Sequence, residues 1–211
     1  MSVASEATES KLTIRRLHPA LGAEVRGLDL GRPLDAASFE ALRAAWAEHL
    51  VLVFPGQAID DAAQIAFSRR FGELEVHHQT IIRSARAPEI FRVANVDEEG
   101  QLMAPEHPSV AQIKLAQRWH TDSSFRAIPS TGAILHGLEV VASGGETCFT
   151  NMYRVYDALP PALKDRIEGR KARHDFANLE RLGPDQAAVG RGTPGDAAGL
   201  ASACPPPPGE R

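Results

Sequence analysis

Long apolar runs are lacking in this sequence. "LVLVF" at 50–54 is typical, far short of the roughly 20 apolar residues that cross a bilayer, so no membrane partner is expected. Cysteine is nearly absent. Cys148 and Cys204 are too few and too differently placed for a disulfide framework, and a reducing cytoplasm is the natural setting. The N-terminal "MSVASEATES" has no apolar core of the kind that directs secretion. Basic charge is not in excess either: 23 Lys and Arg stand against 27 Asp and Glu, a formal net charge of −4. That leaves no global footprint for nucleic acid. What is present, 211 residues with 43% hydrophobic and 24% charged, suffices for one soluble domain with its own core.

Residues 1–11 read as a flexible leader. "KLTIRRL" and "GAEVRGLDL" alternate apolar and polar residues, as half-buried strands do. Asp35 is placed to cap a helix running through His49, with Phe39, Leu42 and Trp46 on one face. "LVLVF" predicts a buried strand stopped by Pro55-Gly56. A second helix is expected from about Asp60, with Phe67 and Phe71 at i, i+4 and Gly72 as its stop. "EIFRVANV", "TGAILHGLEVV" and "ETCFTNM" read as strands, and Leu159 to Glu168 as a helix entered through Pro160-Pro161 and ended by Gly169. Helices first and strands after them suggest an α+β domain on an antiparallel sheet. Residues 183–211 differ in kind. They hold six Pro, six Gly and six Ala with no aromatic, a composition that cannot offset its ordering entropy and predicts disorder.

"RWHTDSSF" at 118–125 is the stretch that carries chemistry. In an extended segment residues i and i+2 share a face, so His120 and Asp122 can present an imidazole nitrogen and a carboxylate oxygen to one ion. Two histidines and one carboxylate on one face of a metal are the ligand set of non-haem Fe(II) oxygenases. Taken alone, the pair reads equally as two solvated strand polars.

Its context is more specific. "WHTDSSFRAIPSTGAILHGLEVVASGGETCFTNM" resembles the taurine dioxygenase/dichlorophenoxyacetate dioxygenase family of Fe(II)- and 2-oxoglutarate-dependent enzymes, in its WH-[TS]-D with a following aromatic, its apolar strand and its Gly-Gly-[DE]-Thr. "LGAEVRGLDLGRPL", "LVLVFPGQ" and "FSRRFGELEVHH" resemble the family's N-terminal part in the same order. The likeness covers roughly residues 12–182, and "HTDSSF" leans toward the aryloxyalkanoate branch. It implies a double-stranded β-helix (jelly-roll, cupin-like) core with flanking helices, incomplete at the C-terminus. It also implies Fe(II) held by His120 and Asp122, 2-oxoglutarate as cosubstrate with Thr147 donating to one of its carboxylates, and O₂ as oxidant. His77, or His78 beside it, and Ser123 would meet the anionic group of a small organic substrate. Trp119 and Phe125 are expected to pack rather than react.

The sequence also departs from that family. Relatives use a distal histidine as third ligand and an arginine soon after it to clamp 2-oxoglutarate. Of the 89 residues after Asp122, only His136 and His174 are histidines. His136 sits in the apolar strand, His174 in "ARHDF" matches a family histidine that is not the ligand, and Arg191 has no histidine near it. The expectation is an enzyme lineage in a C-terminally truncated or frame-shifted chain, with the change near Leu182–Val189 and weakened catalysis. A non-catalytic homologue acting as a binding or interaction protein is the alternative, and a cupin-like zinc protein using His77 or His78 is a third. Unpaired strand edges in such a chain favour self-association into a homo-oligomer.

Overall fold

The computed structural model describes residues 12–76, 83–117 and 119–175, the side chains of 112, 115 and 116 excepted. The chain divides into two compact units. The first contains the described residues 12–60 and 137–170, the second 61–136 and 171–175.

In the first unit, β1 (Thr13–Arg16) and β2 (Ala23–Arg26) pair antiparallel, with Thr13 opposite Arg26 and Arg16 opposite Ala23. Gly22 closes the connection at φ 93°, a conformation that strains a side chain bearing Cβ. β2 alternates as its sequence demands. Ala23 and Val25 are buried while Glu24 turns outward between Arg15 (3.2 Å) and Arg26 (2.7 Å). The Arg26 hydrogen bond is the chief reason the Glu24 carboxyl lies below its ordinary range.

α1 (Ala36–His49) begins where Asp35 accepts from the Ser38 N–H at 2.8 Å and the Ser38 hydroxyl at 2.7 Å. These contacts hold the Asp35 carboxyl below the usual carboxylate range, the backbone N–H contributing most. Phe39, Leu42 and Ala45 form the buried stripe. Trp46 is only half-buried and spends its indole N–H on the Leu50 carbonyl at 3.1 Å. Leu50 ends the helix in the left-handed region at φ 65°. β3 (Leu52–Val53) then joins β2 in parallel, giving the order β1-β2-β3. The side chain of Gln57 fastens the following turn, accepting from Leu30 N at 2.9 Å and donating to Leu28 O at 3.1 Å. α4 (Met152–Ala158) and α5 (Pro161–Ile167) complete this unit. Asn151 caps α4 through Tyr153 N and Arg154 N and ties it to the β1–β2 turn through Ala20 O at 2.8 Å.

The second unit contains α2 (Asp61–Arg69) and α3 (Pro108–Ala116). Phe67 is buried and meets Phe71 edge to face at 5.4 Å, as their spacing predicts. Between the helices the chain makes two isolated bridges, Arg83 with Phe91 and Val96 with Leu102. The Asp97 carboxylate shapes the turn after Val96 by accepting from Glu99 N and Gln101 N.

The described residues are therefore α+β, with one small mixed sheet rather than an antiparallel one and no jelly roll among them. "LVLVF" is a two-residue edge strand with Val53 44% exposed, not a buried one. "EIFRVANV" reaches only the two bridges, and "TGAILHGLEVV" and "ETCFTNM" form no strand among the described residues. Their alternation marks faces that could pair, but a strand exists only where a neighbour accepts its backbone hydrogen bonds. Leu138 is 81% and Val140 80% exposed. Cys204 lies outside the described residues. So do the leader 1–11 and the tail 183–211.

Candidate functional site

His120 and Asp122 follow α3 in an irregular segment of the second unit, just before the turn Ser123–Arg126. No strand holds them on one face. They nevertheless meet: His120 Nε2 stands 3.1 Å from Asp122 Oδ1, with the two side chains 50% and 64% exposed. Two donors in adjacent positions around an ion with bonds of about 2.1 Å would be separated by about 3.0 Å. The pair fits two neighbouring coordination positions, and both donor types suit a divalent first-row metal. No group of three metal-binding side chains occurs among the described residues, so the fit extends to two positions.

The residues around the pair are less simply arranged. Ser123 takes φ 54°, and its hydroxyl donates to Glu75 Oε2 at 2.7 Å. Ser124 Oγ lies 2.9 Å from His174 Nδ1, so the "HDF" histidine meets the loop after the pair and not the pair itself. Trp119 is 66% exposed, against the expectation that it packs; it follows the end of α3. Phe125 is half-buried. Thr147 belongs to the first unit, exposed and outside any strand; His77 lies outside the described residues. His136 is half-buried in coil, not on a strand.

The second unit also contains a cavity of about 610 Å³ lined by Arg83, Arg92, Asp97, Glu98, Met103 and His107 among others. Arg92 is engaged with the carbonyls of Val96 and Asp97, whereas the buried Arg83 Nε has no hydrogen-bond partner among the described residues. Sequence reading gave no sign of this cavity, and the pair His120–Asp122 does not line it.

The full sequence matches the family model described as taurine catabolism dioxygenase TauD, TfdA family, over residues 13–199. The chain belongs to this family. Among curated relatives it is 34% identical over 185 residues to the (S)-phenoxypropionate/alpha-ketoglutarate-dioxygenase of Delftia acidovorans, covering 85% of this chain and 60% of that one. It is 34% identical over 172 residues to the alpha-ketoglutarate-dependent 2,4-dichlorophenoxyacetate dioxygenase of Cupriavidus pinatubonensis, covering 79% and 59%. Similarity extends to a crystal structure of AAD-2 in complex with Mn(II) and N-oxalylglycine. There the TM-score is 0.65 at 26% identity, over 91% of this chain and 64% of the other. The match thus spans 50% to 60% of the length of these and other curated relatives. Within this TauD/TfdA chain the "WHTD" segment and the "GGET" segment lie inside the matched region, and the match continues past Leu182.

Proposed function

We propose that this chain carries the first two metal ligands and part of the cosubstrate site of an Fe(II)- and 2-oxoglutarate-dependent dioxygenase acting on a small anionic substrate. The aryloxyalkanoates named for the relatives are the first class to try, with sulfate esters second. The approach of His120 Nε2 to Asp122 Oδ1 at 3.1 Å carries the reading. His120 ligates as the neutral imidazole and Asp122 as the carboxylate, so protons compete with the metal for both. Iron bound there would supply the chemistry that converts 2-oxoglutarate and O₂ to succinate and CO₂ and hydroxylates the substrate. The chain's own part is to hold and orient: Thr147 donates to a 2-oxoglutarate carboxylate, a charge-assisted contact, and the substrate's anionic group faces the side of Ser123 and His77. A jelly-roll core, completed by strands pairing with the exposed segment 131–141, is part of the same proposal.

A second reading, a non-catalytic homologue that binds a partner, draws on a different observation. The described residues offer two donors and not three, and Leu135, Leu138, Val140 and Val141 are exposed. Succinate formation from 2-oxoglutarate, measured with ferrous iron and 2-phenoxypropionate, separates the two. Succinate dependent on both His120 and substrate supports the enzyme. Its absence at every substrate tried, with iron still bound, supports the binding protein.

A further inference from the structure

Glu75 ends the stretch "FGELE" that leaves α2, and nothing in that stretch singles it out from an ordinary solvated loop carboxylate. The structure does. Three donors reach its carboxylate from the one loop that follows Asp122. The Ser123 hydroxyl donates to Oε2 at 2.7 Å and the Ser130 hydroxyl to the same oxygen at 2.6 Å. Arg126 Nη1 stands 3.2 Å from Oε1, with the Glu75 side chain 23% exposed. Ser123 and Ser130 are the two ends of that loop, so a single carboxylate oxygen draws both ends together. Inside it the Arg126 N–H donates to the Ser123 carbonyl at 3.0 Å.

The consequence falls on the residue beside the ligand. Ser123 adopts φ 54°, a left-handed conformation that non-glycine residues take rarely and keep only where surroundings over-determine it. The hydroxyl tied to Glu75 belongs to that same residue, directly after Asp122. Anchoring Ser123, the next residue in the chain, limits how far the Asp122 backbone can move, and so whether its carboxylate stays beside His120. From this geometry we propose that Glu75 is a positioning residue: it clasps the loop 123–130 and thereby holds Asp122 beside His120 for metal binding. The inference rests on the reading of His120 and Asp122 as metal ligands. Removing groups that orient ligands without touching the metal commonly costs about 10–100-fold in metal affinity.

The test uses the whole chain, titrated with Mn(II) in the presence of 2-oxoglutarate and followed by the electron paramagnetic resonance of the free ion. Amide hydrogen exchange is recorded alongside. His120→Ala should abolish binding. Glu75→Ala should weaken it about tenfold, with Ser130→Ala and Glu75→Gln losing less. Exchange at the Arg126 amide should quicken in Glu75→Ala while α2, in the same unit, keeps its protection, a pattern that a general loss of stability of that unit would not give. Should Glu75→Ala fail to fold, judged by loss of α2 protection, Ser130→Ala and Glu75→Gln carry the same test. If those variants bind Mn(II) like the parent while His120→Ala does not bind, the clasp plays no part in positioning and the metal reading stands. If His120→Ala binds like the parent, the metal reading itself fails and the role of Glu75 falls with it.

Discussion

Truncating Leu42 to alanine should unfold the first unit far more easily, because its core is narrow and Leu42 is at its centre. Leu42 is wholly inaccessible, flanked on α1 by Phe39 at 7% and Ala45 at 6% exposure, with Val25 of β2 at 1% also in this core. The substitution removes three carbons. At about 0.8 kcal/mol for each buried methylene, the lost transfer energy alone is about 2.4 kcal/mol. The cavity left behind raises the expected cost to about 3–5 kcal/mol. For a unit of roughly 60–100 residues each kcal/mol lowers Tm by about 4–8 °C, so a fall of at least about 12 °C is expected. Urea unfolding followed by Trp46 fluorescence reads this directly, since Trp46 sits on α1 with its indole bonded to Leu50. Trp119, the other tryptophan, is exposed and can be replaced by Phe to leave one reporter. Leu42→Met, which conserves volume, should cost less than about 1.5 kcal/mol. A Leu42→Ala cost below about 1 kcal/mol would refute the placement of Leu42 at the centre of this unit's core.

Asp35 sits below its ordinary carboxylate range through the Ser38 contacts. Its contribution is therefore present above the unfolded value, near pH 3.9, and is lost as pH falls through the lower folded value. Asp35→Ala should remove that part of the acid-side slope in a Tm-against-pH series and destabilise α1 at neutral pH; an unchanged slope would contradict the cap. Asn151→Ala strips α4 of its cap and of the bond to Ala20 O, and urea unfolding should show a loss of about 1 kcal/mol. The exposed Leu138 and Val140 should drive self-association. Replacing both by Lys should shift the chain toward monomer in light scattering, and a parent that is already monomeric would contradict the claim.

Local chemistry was legible in the sequence; pairing at a distance was not. Asp35, the 3.6-residue stripe of α1, the Phe67–Phe71 step and Pro160-Pro161 before α5 all act within a few residues, and each appears where its pattern places it. α3 and α4 were not foreseen. "ETCFTNM" alternates like a strand, which hid Asn151 as the cap of a helix. The strands expected from 131 to 151 depend on partners far away in the chain, information that alternation does not carry. At the site, the WH-T-D spacing pointed to His120 and Asp122, and the structure brings them together without the strand that was meant to do so. Glu75 had no local signal, because its partners lie 48 and 55 residues further on.

His120 and Asp122 are read here as the metal-binding pair of this TauD/TfdA chain, with no third metal-binding side chain grouped with them among the described residues. Anaerobic titration with Fe(II), followed by addition of 2-oxoglutarate and recorded as visible absorbance, tests this assignment most directly. Weak iron binding that disappears in both His120→Ala and Asp122→Ala is expected, with little or no charge-transfer band from chelated 2-oxoglutarate. Iron binding that survives His120→Ala would contradict the assignment of the pair. A strong band abolished by His120→Ala would contradict the two-ligand count and require a third ligand elsewhere in the chain.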